Sequence, residues 1–174
     1  MVPILETARL RLRAFTEKDL DPWAKVMADE SVVRHLGGQP FAREDTWRRL
    51  LMSTGLWAMF GYGYWAVERK ADGLLIGQAG FADFKRDLQP SIEGLPEMGW
   101  IFAPYAHGQG YASETVAAGL AWADEALKGM DIPAIIDPLN APSIRVAQRA
   151  GFDGPEEAAY KGEAILLFRR PARG

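Results

Sequence analysis

Gly108, Gly110 and Ala112 fall within a short span, HGQGYAS, that follows a run reading as a short strand, Glu97 to Phe102, and opens an alanine-rich helical pattern extending to about Leu127. Small side chains there leave backbone N–H groups uncovered. The first amides of a helix lack intrahelical acceptors and lie at the positive end of its dipole, so the span is suited to binding an anion, phosphate first of all. Two phosphate loops fail against it. A P-loop needs Lys and then Ser or Thr after its last glycine, whereas Tyr111 and Ala112 follow Gly110. A dinucleotide fingerprint needs its glycines directly after the strand, whereas Ala103 to His107 intervene and Ser113 holds the third position.

A second bounded element runs from Asn140 to Phe152. Asn140 is a good helix N-cap, Pro142 is tolerated in a first turn, and Gly151 suits a left-handed terminus. Structure alone accounts for each of these residues. The order of the two spans adds information. His107, Gly108, Gln109, Gly110, Tyr111, Ala112 resembles the acyl-CoA pyrophosphate loop of the GNAT acetyltransferase superfamily, with His107 in place of the usual Gln or Arg. TARLRLR near the start, and Asn140, Ser143 and a helix ending in Gly151 and Phe152, resemble the opening and late motifs of its ribosomal-protein alanine/serine N-acetyltransferase branch. The resemblance covers Thr7 to Arg169.

It implies a mixed α/β (α+β) GNAT fold: a mostly antiparallel central sheet, splayed between its fourth and fifth strands, with helices on both faces. It also implies acetyl-CoA as cosubstrate, its pyrophosphate on the amides of Gly108 to Ser113. The pantetheine arm would lie where Glu97–Phe102 parts from Pro133–Asp137, pairing with N–H and C=O groups of Ile101, Phe102 and Ala103. The late helix, from Asn140, would flank the sulfur. Acetyl transfer from a thioester to an amine needs a base for the amine, a donor for the carbonyl oxygen and a donor for the departing thiolate. Glu97, the acid on the central strand, is the candidate base, an N–H near Ile101 or Phe102 the candidate oxyanion donor, and Ser143 the candidate donor to sulfur. Many superfamily members place a Tyr in the late helix, where this chain has Ala147.

The elements that must position these groups follow from pattern. Arg9 to Arg13 alternates Leu and Arg as a strand with one wet face does, and Thr16 with Asp19 forms a capping box for a helix over Glu17–Ala28. Ser31–Leu36 reads as a helical turn and Arg43–Phe60 as a helix burying Trp47, Leu50, Leu51 and Trp57. Tyr64–Arg69 and Leu74–Phe84 form a hairpin across Asp72-Gly73, and Lys85–Pro96 is a polar loop that either covers the acceptor site or merely connects. Ser113 is the candidate cap of the alanine-rich helix, whose small residues Ala117, Ala118, Gly119 and Ala121 permit close approach. Glu163–Arg169 is the last strand.

Composition bounds the rest. The 174 residues, 48% hydrophobic and 25% charged with net charge -3, suit one soluble domain and no nucleic-acid partner. No cysteine is present, which removes disulfides, thiolate metal sites and an acyl-cysteine, and no metal site is predicted. The N-terminus lacks a signal-peptide pattern, and the uncharged run Leu50–Val67 is broken by Gly55, Gly61 and Gly63, so a cytoplasmic protein without a membrane span is expected. The leading reading is an N-acetyltransferase acting on a protein N-terminus or a small-molecule amine. A non-catalytic acyl-CoA sensor is the alternative, and a homodimer is left open.

Overall fold

The computed structural model describes residues 1–173. Its strands are β1 (Leu5–Glu6), β2 (Leu10–Arg13), β3 (Tyr64–Arg69), β4 (Leu74–Ala82), β5 (Leu88–Gln89), β6 (Glu97–Phe102), β7 (Ile132–Ile136), β8 (Asp153–Tyr160) and β9 (Glu163–Arg170). Its helices are α1 (Leu20–Met27), α2 (Glu30–Val33), α3 (Arg43–Phe60), α4 (Tyr111–Ala126) and α5 (Ala141–Arg149). The strands form two sheets, ordered β1-β2-β3-β4-β6 and β5-β8-β9-β7, and every ladder is antiparallel. β6 and β7 edge the two sheets and lie against each other. Among the described residues no backbone hydrogen bond joins them, so the expected splay takes the form of a seam between sheets.

Alternation within the first sheet sorts its side chains. Leu10 and Leu12 are fully buried while Arg11 between them is exposed, as the sequence pattern requires. One face packs on α1 to α3, through Trp23, Met27, Val33 and Leu50 against Ala66, Leu75 and Ala103. There the buried Trp23 Nε1 donates to Gln78 Oε1 at 3.1 Å. The other face meets α4 and α5, through Val116, Leu120, Ala123 and Ala147 against Phe81, Met98 and Phe102. Gly119 sets the closeness of α4, since a Cβ there would stand 3.1 Å from the Met98 terminal methyl. Ala117 and Ala121, grouped with it by sequence, are exposed.

Several boundaries differ from the sequence reading for physical reasons. Asp19 accepts from the Thr16 N–H at 2.7 Å and from its hydroxyl at 3.0 Å, but the first turn, Glu17–Asp19, is a 3-10 helix leading into α1. In α3 the buried stripe is Thr46, Leu50, Ser53 and Leu56, and Leu51 is 52% exposed. Gly110, not Ser113, caps α4, and no side-chain acceptor caps that end. β8 has no apolar alternation to reveal it, because its side chains are mostly exposed and it is held by backbone pairing with β9. Lys85–Pro96 is tied down by β5 on β8 and by the buried Leu88 and Ile92.

Ion pairs set the acid limb of stability. Burial raises the Asp19 and Glu114 carboxyls, but Arg13 and the Thr16 N–H on the first, and Thr7 and Arg9 on the second, outweigh it and hold both below their ordinary values of 3.8 and 4.5. Arg170 does the same for Asp124. A depressed carboxyl contributes stability that is complete above its unfolded pKa and lost as pH falls through the folded one. Glu97 has the opposite sign, since burial raises it, so its protonation on acidification recovers a part. Because the depressed carboxyls outnumber the one that is raised, melting temperature should be level above about pH 5 and fall steadily below about pH 4. A melting temperature that rose through that range would contradict these pairings.

Candidate active site

The turn after β6 is built by two residues in the left-handed region, Gly108 at φ 72° and Gly110 at φ 78°. Side chains strain that conformation, so both positions call for glycine. His107 turns back on the strand, its Nε2 3.0 Å from Phe102 O. Gln109 Nε2 donates to Tyr105 O at 2.9 Å. The amides of Tyr111, Ala112 and Ser113 have no acceptor among the described residues, whereas the Ser143 N–H at the start of α5 donates to Asn140 Oδ1 at 3.2 Å. Nothing would lie within 4 Å of a Cβ at Gly108, so the surface over the loop is open. The residues present therefore fit a pyrophosphate.

Arg9 is the part of this loop that the sequence concealed. It reads there as one of three arginines on a wet face, yet its Nη1 donates to Gln109 O at 2.9 Å, its guanidinium lies 4.5 Å from the Tyr111 ring centroid, and Glu114 in the first turn of α4 accepts from its Nε at 2.6 Å. Glu114 also accepts from the Thr7 hydroxyl at 2.6 Å. β2 thus fastens the loop from behind. The meeting of residues a hundred positions apart leaves no local signal.

Along β6 the ladder decides which backbone groups are free. Phe102 pairs opposite Gly77, and the Ala103 N–H donates to Ile76 O at 2.9 Å. Antiparallel alternation then turns Ile101 and the Ala103 N–H toward β4, and Trp100 and Phe102 toward the seam, while the Ala103 carbonyl accepts from the Ala106 N–H at 2.9 Å. This corrects the expectation that Ile101 and Ala103 offer their N–H and C=O groups to a pantetheine arm. Of the three residues named, only Phe102 faces the opening, and its carbonyl is the one His107 approaches.

Side chains alternate in the same way. Glu97, Gly99 and Ile101 share the face toward α1 to α3. Glu97 is buried and accepts from Arg86 Nε at 2.7 Å and Nη2 at 3.0 Å. Burial pushes its carboxyl above the ordinary range, with Arg86 pulling the other way. Two residues along, the Tyr64 hydroxyl occupies the space a Cβ at Gly99 would take. Burial raises the Tyr64 phenol strongly, so this hydroxyl is a neutral donor, and it makes no hydrogen bond among the described residues. The sequence offers Tyr64 only within a run of glycine-spaced aromatics that either pack or line a cleft, and does not single out Arg86 within its polar loop.

On the other side of the seam, Ser143 is half-buried at the third position of α5, and its hydroxyl has no partner among the described residues. Ala147 is fully buried in the core that α4 and α5 share with the sheet, so no hydroxyl could project from its position without displacing that packing. His35 has its Nδ1 2.7 Å from Asp137 Oδ2 just beyond β7. No group of His, Asp and Glu among the described residues is arranged to hold a metal ion, and no helix is long and apolar enough to cross a membrane.

A glycine loop feeding an uncapped helix beside a seam between strands is the arrangement of an acyl-CoA transferase. The chain belongs to the GNAT acetyltransferase family: residues 9–153 match the family's acetyltransferase (GNAT) domain. An acetyltransferase from Agrobacterium tumefaciens is similar in structure, with a TM-score of 0.82 and 29% identity over 98% of this chain and 95% of the other. The sequence is 26% identical to the uncharacterized N-acetyltransferase YoaA of Bacillus subtilis over 87% of this chain and 84% of that protein. A ribosomal-protein alanine acetyltransferase from Vibrio fischeri shares the fold, with a TM-score of 0.75 at 20% identity over 98% and 97% of the two chains. The chain is a GNAT N-acetyltransferase, of a family whose acetyl donor is acetyl-CoA.

Proposed function

We propose that this enzyme transfers the acetyl group directly to a primary amine, on a protein N-terminus or a small molecule, within a ternary complex and a single domain. The observation that carries the reading is the pairing of an uncapped α4 N-terminus with a seam whose far side holds an unpartnered Ser143 hydroxyl. Acetyl-CoA, when bound, supplies an activated thioester carbonyl. The amides of Gly108 to Ser113, with His107 and Gln109 shaping the turn, hold the pyrophosphate, and the outward groups of Trp100 and Phe102 line the arm. The Phe102 N–H, free of β4, is the oxyanion donor of this proposal.

On the acceptor face Glu97 takes the amine proton, through water. Arg86 occupies one lone pair on each of its oxygens, and a carboxylate keeps a second on each. Burial, by raising its pKa, makes it a better base than an exposed Glu. The new C–N bond forms as C–S breaks, and Ser143, its N–H fixed by Asn140, hydrogen-bonds the departing sulfur. No cysteine exists to carry an acyl group, and no Ser is paired with a His among the described residues. Initial rates with both substrates varied should give intersecting lines. Parallel lines with a trapped acetyl-protein would refute direct transfer.

A further inference from the structure

We propose that the acceptor site selects amines carrying a carboxylate or similar anion, which Arg49 of α3 recognises beside Arg86. The proposal rests on the transferase reading for the location of the acceptor, and its tests separate the two.

Arg49 differs from the arginine next to it. Arg48 is exposed and engages Glu44 and, at 3.3 Å, Asp45. Arg49 is half-buried, its guanidinium lies 4.1 Å from the Phe41 ring centroid, and among the described residues it has neither an ion pair nor a side-chain hydrogen bond. Burial lowers its pKa, with Tyr64 and Asp45 pulling the other way and the Arg86 charge adding to the lowering. Asp45, one turn back on α3, pairs with Arg48 at 3.3 Å and not with Arg49, and Glu97 is claimed by Arg86 through both oxygens. Arg86 is also braced at 4.5 Å from the Phe84 ring centroid and 5.0 Å from that of Tyr160.

A guanidinium held on an aromatic ring has a fixed orientation and five donors, so it suits a planar bidentate anion better than a lysine would. Leaving it partly desolvated and unpaired is unfavourable, and an acceptor carboxylate would remove that penalty while oriented by it. The bare Gly99 backbone and the Tyr64 hydroxyl lie on this same face of the sheet, where the amine must arrive. Phe15, Phe84 and Leu56, packed around Tyr64, supply apolar walls for the carbon chain between amine and anion.

The first test compares matched acceptors: β-alanine and 4-aminobutyrate against their carboxamides, and tripeptides with Asp against Asn at the second position. Rates are referred to the free-base amine. The parent enzyme should favour the acid of at least one pair by about tenfold or more in kcat/KM. The pair that responds distinguishes a free amino acid from an acidic N-terminus. Arg49→Gln should bring the ratio below about threefold by raising KM for the acid, with the carboxamide and acetyl-CoA unaffected, and Arg49→Lys should restore it in part. Arg48→Gln should change nothing. Equal use of acid and amide by the parent, or an unchanged ratio in Arg49→Gln, overturns the proposal. Calorimetric titration with glutarate, which needs no turnover, covers the case in which no amine reacts. Saturable binding that weakens about tenfold or more in Arg49→Gln supports the anion site even then, and no binding to the parent refutes it.

Discussion

Gly110→Val is expected to lower acetyl-CoA affinity at least a hundredfold, as read by calorimetry, while leaving the far-ultraviolet spectrum and cooperative unfolding in place. Gly110 sits at φ 78° as the N-cap of α4. A β-branched residue is a severe outlier there, so the turn must open or strain by roughly 1–3 kcal/mol. The space around it does not forbid the side chain, because the nearest atom to a Cβ would be Arg9 Nη2 at 3.6 Å. The effect should therefore fall on the backbone amides and on whatever lies over them. Loss of about 2.7 kcal/mol of binding corresponds to that hundredfold change. Unchanged affinity would remove the loop from the site.

Glu97→Gln should reduce turnover on the order of a hundredfold or more with acetyl-CoA affinity preserved, the usual scale of a lost general base. The acidic limb of the rate against pH should flatten. Because Glu97 also pairs with the half-buried Arg86, the variant leaves a cation with a weaker partner, and a drop in melting temperature is expected alongside. The pH profile separates the two effects, since a merely structural loss would lower the rate without changing its shape. Ser143→Ala should behave as a milder companion: a lower kcat, an unaltered acidic limb and an intact α5, because the cap is the Asn140 side chain on the Ser143 N–H. A several-fold loss in Glu97→Gln with the limb retained would assign the carboxylate to positioning Arg86.

What the sequence revealed is what local chemistry determines. α3, β3 and β6 fall on their expected bounds because caps, glycines and apolar period coincide there. Asn140 and Gly151 likewise bound α5 and its turn as read, with Asn140 capping and Gly151 at φ 83°. The concealed residues are those whose meaning is tertiary. Arg9 acquires its role from a loop and a helix a hundred residues on. Arg86 acquires its role from Glu97, and Arg49 from its seat on the Phe41 ring without an ion pair. β8 was concealed for a different reason: it lies on the outer sheet with few apolar side chains, so no period exists to be read. The two glycines were legible as a turn into a helix start, while the ladder register that aims Phe102 and not Ile101 at the seam depends on the pairing with β4.

The most direct measurement is thiol release from acetyl-CoA by the purified protein across a panel of primary amines, with the acetylated product identified by mass spectrometry. Release should depend on both the protein and the amine, and one acetyl amide should form for each thiol freed. Saturable acetyl-CoA binding with no acetylated product from any amine, and no thiol release above the uncatalysed rate, would contradict direct transfer and leave a protein that binds the cofactor without using it.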